Sequence, residues 1–455
     1  MPSLMEHSFP RATRLVAVAA AITMAAPASA SAQSSQPQTG IPSTYTNWVP
    51  SIRVQHFRPR DERGLNMFEP PKDDSLVVTG FSLQWGAAFT QEFQGLRHTN
   101  TAAPRVVNGT DLNRLIVIGN GFNNAVANLY VDAQVAPGIR VALSSYLSSR
   151  HHEETWVKDG YLLVDQSPID VALLNSIMKY VTLKAGHFEV NYGDAHFRRS
   201  DNGQSIYNPL VGNYILDAFT TEIGEELYLR TGPWLLMSSI TGGEVHGQVT
   251  QPAQRSASFI EKIGFDHQLT PDLRIRLTGS AYANWRAASN TLFTGDRGGS
   301  PFYDVLENTV SNEQSNAWSG QLRPAFANSI HAYVVNPFIK LRGLELFGNI
   351  ETVTGKGDAE ARKRTLRQQV ADVVYRFAGN RLYIAGRYNG VEGQMPGIAN
   401  DISVKRGEFG GGWFVTPIIL AKAEYVTQKY EDFPVTDIRN GGKFNGFMIT
   451  GTVAF

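Results

Sequence analysis

The chain of 455 residues contains no cysteine, which excludes a disulfide scaffold and a thiolate metal site. It lacks an excess of either charge, with 41 basic and 41 acidic side chains, so its charge does not favour nucleic acid binding. After residue 32 it also lacks any apolar run near ~18 residues, which excludes a readable transmembrane helix. Charged residues are scarce at 18%, whereas aromatic residues reach 11%, and this mixture excludes a disordered chain.

The amino terminus has the three parts of a secretory signal. Arg11 and Arg14 precede the apolar run 15–22, and overlapping A-x-A cleavage sites end at Ala32. We therefore predict a signal peptide over 1–32. The alternative is a short core helix, which the Ala- and Ser-rich end does not suit.

The rest of the chain divides into a lead-in and a body with period-two alternation. Residues 33–75 are predicted to form an irregular periplasmic lead-in, and 76–455 the body. In the body, Leu273, Ile275 and Leu277 share one face of a predicted strand, with polar side chains between them. Several such segments exceed ten residues, which is longer than the ~5–6 of an average soluble strand and matches the ~9–11 that cross a bilayer.

Turn residues separate the predicted strands asymmetrically. Tight turns such as Ala136-Pro137-Gly138 alternate with long polar stretches such as 191–219. The count is sixteen strands, of which 154–165 and 316–340 alternate least regularly. This pattern predicts an all-β fold, a closed antiparallel transmembrane β-barrel with short periplasmic turns and long extracellular loops. Its expected location is the bacterial outer membrane.

The carboxyl terminus alternates to the last residue. Phe447, Ile449, Val453 and Phe455 share one face of the final predicted strand. A terminal phenylalanine in this pattern resembles the signal read by the barrel assembly machinery. The alternative is an ordinary edge strand that ends in Phe.

The alternate faces of the strands are expected to line the lumen. Inward charges are costly in a dry core, so they predict a water-filled channel. The predicted lumen-facing basic residues are Arg140, Lys184, Arg230, Arg274, Arg276, Arg286, Arg376, Arg381, Arg387 and Lys422, and the acidic ones include Glu222, Glu226, Glu345 and Glu424. Their slight basic excess favours anions. Pairing across the wall, with no selectivity, is the equally weighted alternative.

The long stretch 191–219 is dense in charged residues. We predict that it is the third long loop and folds inward as a pore constriction, with the side chains His196, Arg198, Arg199, Asp201 and Asp217. An external solvated loop or a contact between trimer subunits is the alternative.

Two segments carry a family resemblance. The strand 181–188 with Asn191-Tyr192-Gly193, and the segment 410–417 followed by 420–425, resemble the phosphate-selective porin O/P-like family. This resemblance implies a sixteen-stranded trimeric porin. The phosphate-selective members have a dense arginine ladder in the lumen, whereas arginine is scattered here, so no phosphate-binding residue is carried over.

These observations together predict a porin for passive diffusion of small hydrophilic solutes or ions, with an anion preference left open. The alternatives are a substrate-specific or plugged barrel that serves uptake or anchors a surface assembly, and a barrel hydrolase. No G-x-S-x-G, Walker A or H-E-x-x-H motif is present, so we expect no enzyme, no catalytic residue, no metal and no cofactor. His151-His152-Glu153-Glu154 suits a polar loop tip better than a metal site. The expected partners are outer-membrane lipid and lipopolysaccharide, the assembly machinery, a homotrimer, and small anionic or neutral solutes.

Overall fold

The computed structural model describes residues 68–69, 81–148, 155–243, 253 and 255–455. The predicted signal peptide, most of the lead-in and the His-rich tip 151–154 lie outside these residues. In the described part, sixteen long strands follow one another around a single antiparallel barrel. They are β1 (Ser82–Thr99), β2 (Val126–Ala136), β3 (Ile139–Leu147), β4 (Thr155–Val164), β5 (Val181–Glu189), β6 (Thr221–Thr231), β7 (Trp234–Thr241), β8 (Ser258–Thr270), β9 (Leu273–Asn284), β10 (Ser329–Leu341), β11 (Leu344–Lys356), β12 (Arg364–Phe377), β13 (Leu382–Gly393), β14 (Ile402–Thr416), β15 (Ile419–Glu431) and β16 (Lys443–Ala454).

The barrel closes between its first and last strands. β1 pairs with β2 on one side, with Ser82 opposite Gln134, and with β16 on the other, with Ala88 opposite Ala454. Phe455 extends the seam, since its backbone exchanges two 2.9 Å hydrogen bonds with Ala87. Closure satisfies the backbone groups of every strand, and the predicted sixteen-stranded barrel is confirmed.

Short turns and long loops lie at opposite ends of the barrel. We name the long loops L1 to L8 in chain order, and the end that carries them is the extracellular end of an outer-membrane barrel. Their described residues are 100–125 in L1, 148 in L2, 190–220 in L3, 242–243, 253 and 255–257 in L4, 285–328 in L5, 357–363 in L6, 394–401 in L7 and 432–442 in L8. L1 contains the small strands Val106–Val107, Thr110–Asp111 and Gly121–Phe122, and L3 contains a 3-10 helix at Ala195–Phe197.

The periplasmic end has one longer connection. Between β4 and β5 lies the short helix α1 (Ala172–Ile177), which the sequence pattern did not predict. Two predicted strands also differ from the structure. The first strand is predicted over 76–90, and in the described residues it runs from Ser82 to Thr99. The irregular segment 316–340 forms the end of L5 and most of β10. In β10, Pro337 has no amide hydrogen, and the ladder to β11 is interrupted there.

The outer surface of the barrel is apolar. Leu277, Ile350 and similar side chains are about half exposed along the strands. Exposed aromatic residues lie towards both ends, as in the girdles that flank the hydrocarbon layer. They include Trp85, Trp234, Tyr375 and Trp413 near the turns and Phe259 and Trp285 near the long loops, whereas Tyr388, Phe409 and Phe447 lie closer to the middle of the barrel wall. No helix in the described residues is long and apolar enough to span a membrane.

The inner surface changes character along β8 to β16. Towards the extracellular end it is apolar, and these side chains pack with apolar residues of L3 and L5 into one buried cluster. Its wall members include Ile260, Ile330, Ala332, Val353, Leu366, Val391, Val404 and Phe444, and its loop members include Val211, Ile215, Leu292, Phe302 and Leu322. A polar lumen along the whole strand, as the alternation suggested, is therefore wrong for this end of the barrel.

Candidate functional site

L3 lies across the lumen and is bonded to its wall on many sides. Thr90 of β1 donates to the carbonyl oxygen of Gly203 at 2.7 Å, and the ammonium of Lys422 on β15 donates to that of Leu210 at 2.7 Å. Further hydrogen bonds that involve side chains connect L3 to most of the other strands. These strands are β2, β3, β4, β6, β8 to β14 and β16. The structure thus places the predicted constriction loop inside the barrel.

L3 approaches the wall so closely that one position requires glycine. A Cβ atom on Gly203 would lie 2.5 Å from the Cα atom of Ala127 in β2 and 2.8 Å from the carbonyl oxygen of Ala88 in β1. Both are backbone contacts that cannot rotate away. Gly203 therefore fixes the distance between L3 and the β1–β2 wall.

Arg199 of L3 is neutralised by aspartates. Its guanidinium lies 2.7 Å from Asp217, 3.3 Å from Asp296 of L5 and 3.4 Å from Asp201. Burial raises the pKa of Asp296 to about 6, although Arg199 opposes this shift. Arg199 joins L3 to L5 and contributes little free positive charge.

Arg198, next to it, has a different environment. Its Nη1 lies 3.2 Å from Glu345, and the same carboxylate lies 2.7 Å from Nε of Arg376. Two guanidinium groups therefore share one carboxylate. All three side chains are at most 1% exposed. Nε and Nη2 of Arg198 and both Nη atoms of Arg376 have no hydrogen-bond partner among the described residues, which leaves an excess of buried positive charge.

A second buried charge cluster holds L3 against β8 and β9. Asp194 lies 2.8 Å from both Lys262 and Arg276. Burial disfavours its charged form, but these two cations lower the pKa of Asp194 below its usual value. The carboxylate of Glu69, from the lead-in, lies 2.9 Å from Arg276 and 3.3 Å from Lys262.

The described part of the lead-in therefore lies inside the barrel. Phe68 is 1% exposed and packs edge-on against Phe197 of L3 and Phe338 of β10, with centroids 5.8 and 5.0 Å away. The predicted periplasmic lead-in 33–75 stays a prediction, since only Phe68 and Glu69 of it are described. They support L3 from the lumen.

Between L3 and strands β2 to β5 a cavity of about 140 Å³ remains, which is room for roughly ten waters. Its lining carries charge of both signs, together with tyrosines such as Tyr161 and Tyr207. The charged lining residues are Lys158, Lys184, His196, Arg199, Asp159, Glu189 and Asp201. Among the described residues, Oδ1 of Asp159 and Oε1 of Gln204 have no hydrogen-bond donor. The charged and polar lining suits a small polar molecule.

Lys158 and His196 organise this lining. The ammonium of Lys158 lies 2.7 Å from Glu189 and 2.8 Å from Asp201 of L3. Burial lowers the pKa of His196, although Glu189, 3.6 Å from its Nδ1, opposes the shift. At neutral pH the imidazole is therefore uncharged, and the cations facing the cavity are lysine and arginine.

Most of the predicted lumen residues point inward and are buried. These are Arg140, Lys184, Arg276, Arg376, Arg387, Lys422, Glu222, Glu226, Glu345 and Glu424. Arg230 and Arg274 lie at the periplasmic rim of the inner face, where Arg274 pairs with Asp266 at 2.6 Å. The prediction that Arg286 and Arg381 face the lumen is wrong. Both residues lie beyond the ends of their strands and are exposed. Strand alternation does not apply in a loop or turn.

The residues of the predicted barrel assembly signal lie on the outer face of the barrel. Phe447, Ile449 and Phe455 are 41–49% exposed, and Val453 shares their side of the barrel. Their use by the assembly machinery stays a prediction.

Some site residues were missed. In β4, Lys158 and Asp159 are both buried because the register to β3 shifts between Ser144 and Ser145, so simple alternation fails there. Lys262 and Arg406 lie at regular inward positions, and alternation alone indicates them. The charge on Glu69 had no recognisable signal, since no strand pattern precedes β1.

No protein-family model and no curated protein sequence matches the chain. Solved structures with a similar fold include the anion-selective porin from Comamonas acidovorans, with 10% identity, a TM-score of 0.49 and coverage of 82% of this chain and 100% of that one. The outer membrane channel DcaP of Acinetobacter baumannii has 10% identity and a TM-score of 0.49, and the match covers 83% of this chain and 99% of that one. OmpT of Vibrio cholerae has 9% identity and a TM-score of 0.48, and the match covers 84% of this chain and 99% of that one. Similarity of this size carries no argument about solutes.

The closed barrel and its apolar, girdled outer surface decide the location. The chain is a bacterial outer-membrane β-barrel protein.

Proposed function

We propose that this barrel is a narrow porin-like channel that passes small polar solutes by passive diffusion beside L3, and that it is not an enzyme. The observation that carries the proposal is the position of L3. The loop fills the lumen towards β8 to β16 and leaves the cavity of about 140 Å³ towards β2 to β5. Sixteen strands with an empty interior leave a wide aqueous channel, so the loop sets the size limit here.

The cavity lining indicates what kind of solute passes. Lys158, Glu189 and Asp201 offer charge of both signs within one ion-pair network. Asp159 and Gln204 in the same lining add a carboxylate and an amide. A neutral or zwitterionic molecule with hydroxyl or amino groups satisfies both features.

The size limit is tested by solute entry into liposomes that contain the purified protein. We expect glycerol to enter quickly and a trisaccharide such as raffinose to be excluded. Tyr207→Ala enlarges the cavity and should admit larger sugars, whereas Tyr425→Ala, on the outer face and 54% exposed, should not. No entry of any solute would indicate a plugged barrel, and an unchanged limit in Tyr207→Ala would place the route elsewhere.

A second, finer candidate is anion preference. It is favoured by Arg198 and Arg376, which share Glu345 and leave one buried positive charge without compensation in that group. These side chains do not line the cavity towards β2 to β5, so their charge acts on a solute there at longer range, where a fixed positive charge lowers the free energy of an anion. Small anions, including phosphate-like ones, would then pass more readily than cations.

The reversal potential across a planar bilayer in a KCl gradient tests this candidate. We expect a shift towards the chloride potential that Arg198→Gln reduces. Arg367→Gln makes the same chemical change on the exposed outer face and should have no effect. A wild-type shift towards potassium would contradict anion preference, and unchanged selectivity in Arg198→Gln would remove this arginine from the explanation.

The proposal includes self-association as a homotrimer through the outer face of β6 to β9. Glu225 and Glu261 are exposed there within the apolar band, and Ser238 donates to Glu261 at 2.7 Å. A carboxylate is unfavourable against hydrocarbon, so a second copy suits this face better than lipid. The mass in mild detergent should be that of a trimer, and Glu261→Lys should dissociate it while Glu392→Lys does not. A monomeric wild-type protein would refute this part alone.

A further inference from the structure

Three lysines lie side by side on the outer surface near the extracellular ends of β14, β15 and β16. Lys405 is the register partner of Lys429, and Lys429 is that of Lys443. Side chains at such positions have Cβ atoms about 4.5–5.5 Å apart. All three are exposed, and we call them the lysine row.

The lysine row is only partly neutralised. Lys405 pairs with Glu431 at 2.5 Å. In the described part of the chain, no carboxylate lies within ion-pair distance of Lys429 or Lys443. Arg97 of β1 adds another exposed cation at the same end of the barrel. Like charges directly opposite each other destabilise a strand pair, so this arrangement favours a bound anion.

The height of the row in the membrane identifies the source of that anion. Phe409, Tyr425 and Phe447 are register partners on the same three strands and are 44–64% exposed. They lie near the middle of these strands, and about half of the ~25 Å apolar band separates the middle of the barrel wall from the headgroups. Lys429 is four residues further towards the extracellular end than Tyr425, about 13 Å along the strand. The lysines therefore lie among the lipid headgroups.

We propose that the lysine row binds the phosphorylated headgroup of a glycolipid of the outer leaflet. Phosphate groups provide the missing negative charge, and lysine binds phosphate as a point charge. The acyl chains of the same molecule lie against the apolar residues nearer the membrane centre, such as Phe409. A lipid therefore gains from both parts of this surface, whereas free phosphate gains only from the lysines.

The test is binding of bisphosphorylated lipid A to the full-length protein in non-ionic detergent, measured by native mass spectrometry over a concentration series. Lys429→Ala with Lys443→Ala should weaken binding roughly 20- to 40-fold, since each surface lysine contributes a few-fold to anionic lipid binding. Lys429→Arg with Lys443→Arg should bind like wild type. Lys179→Ala, which removes an exposed lysine at the periplasmic end, should also have no effect.

Three outcomes would overturn the proposal. Equal binding of dephosphorylated lipid A would show that acyl chains alone are recognised. Displacement of lipid A by inorganic phosphate at similar concentrations would indicate a free-phosphate site. Wild-type binding by the double alanine variant, with its β-sheet circular dichroism intact, would remove the lysine row. Channel conductance is measured separately and is independent of these results.

Discussion

The two sides of L3 differ. Towards β8 to β16, the loop is packed under an apolar cluster and joined to buried ion pairs such as Asp194 with Lys262 and Arg276. Towards β2 to β5, its side chains border a cavity, and only a few groups such as Lys158 cross to it. The packed side fixes the loop and the open side leaves space for a solute. Substitutions on the packed side should therefore affect stability, and those on the open side permeation.

The largest effect is expected from Asp194→Asn. It leaves Lys262 and Arg276 without their closest carboxylate in a buried cluster, and breaking a buried pair typically costs about 3–5 kcal/mol. The free energy of unfolding by urea, measured in lipid, should fall by this amount. Asp272→Asn is the matched control, because its partner Arg342 is 79% exposed and the loss should stay below about 1 kcal/mol. Equal losses would contradict the distinction.

Leu322→Ala tests the apolar cluster on the packed side. Leu322 is 1% exposed, and its amide donates to the carbonyl oxygen of Ile215, which joins L5 to L3. The cavity should cost about 2–4 kcal/mol of unfolding free energy and leave ion selectivity unchanged. Altered selectivity in a bilayer recording would show that the cluster also shapes the conducting route.

A smaller, pH-dependent effect is expected from Glu307 of L5. Burial raises its pKa to about 7, against hydrogen bonds from Ser319 and Asn316 that lower it. At a pH between the pKa of Glu307 in the unfolded chain and its pKa in the folded protein, the carboxyl group is protonated in the native state and ionised in the unfolded chain. Stability should therefore fall as pH rises from about 4.5 to 7, by about 3 kcal/mol. Glu307→Gln should flatten this part of the urea-unfolding profile, and an unchanged slope would assign it to other groups, such as Asp296.

The smallest change in stability is expected on the open side, from Gln204→Ala. Gln204 lines the cavity, and its Oε1 has no hydrogen-bond partner among the described residues, so truncation breaks no bond to that oxygen. Unfolding free energy should change by less than about 1 kcal/mol, while single-channel conductance rises. A large loss of stability with unchanged conductance would show that both sides of L3 are equally structural.

The strands and their order could be predicted from the sequence, but the packing of L3 and L5 inside the barrel could not. Alternation and turn residues predicted sixteen strands because the side-chain period of a strand is a local property. Prediction from alternation failed at Lys158 and Asp159, because the register shift between β3 and β4 lets both side chains point inward. The apolar inner face had a signal, since Val391, Val404 and Val426 occupy inward positions beside inward charges.

Partners in the lumen were beyond the reach of the pattern. Arg198 and Arg199 are adjacent in sequence and both charged, yet one shares Glu345 with Arg376 and the other meets Asp217 and Asp296. These pairings depend on where L3 and L5 lie inside the barrel. No periodicity encodes that position.

The bonds between L3 and the wall also constrain the order of assembly. Arg387 and Lys422 donate to carbonyl oxygens of L3, and in a barrel that closed before L3 entered, water would bond to both and would have to be displaced through the open end. We therefore expect L3 to enter before the β1–β16 seam forms. At the seam Ala88 pairs with Ala454, which joins residues from nearly opposite ends of the described chain, and such distant contacts form slowly. The seam would then be a late, rate-limiting step that captures a loop already in place.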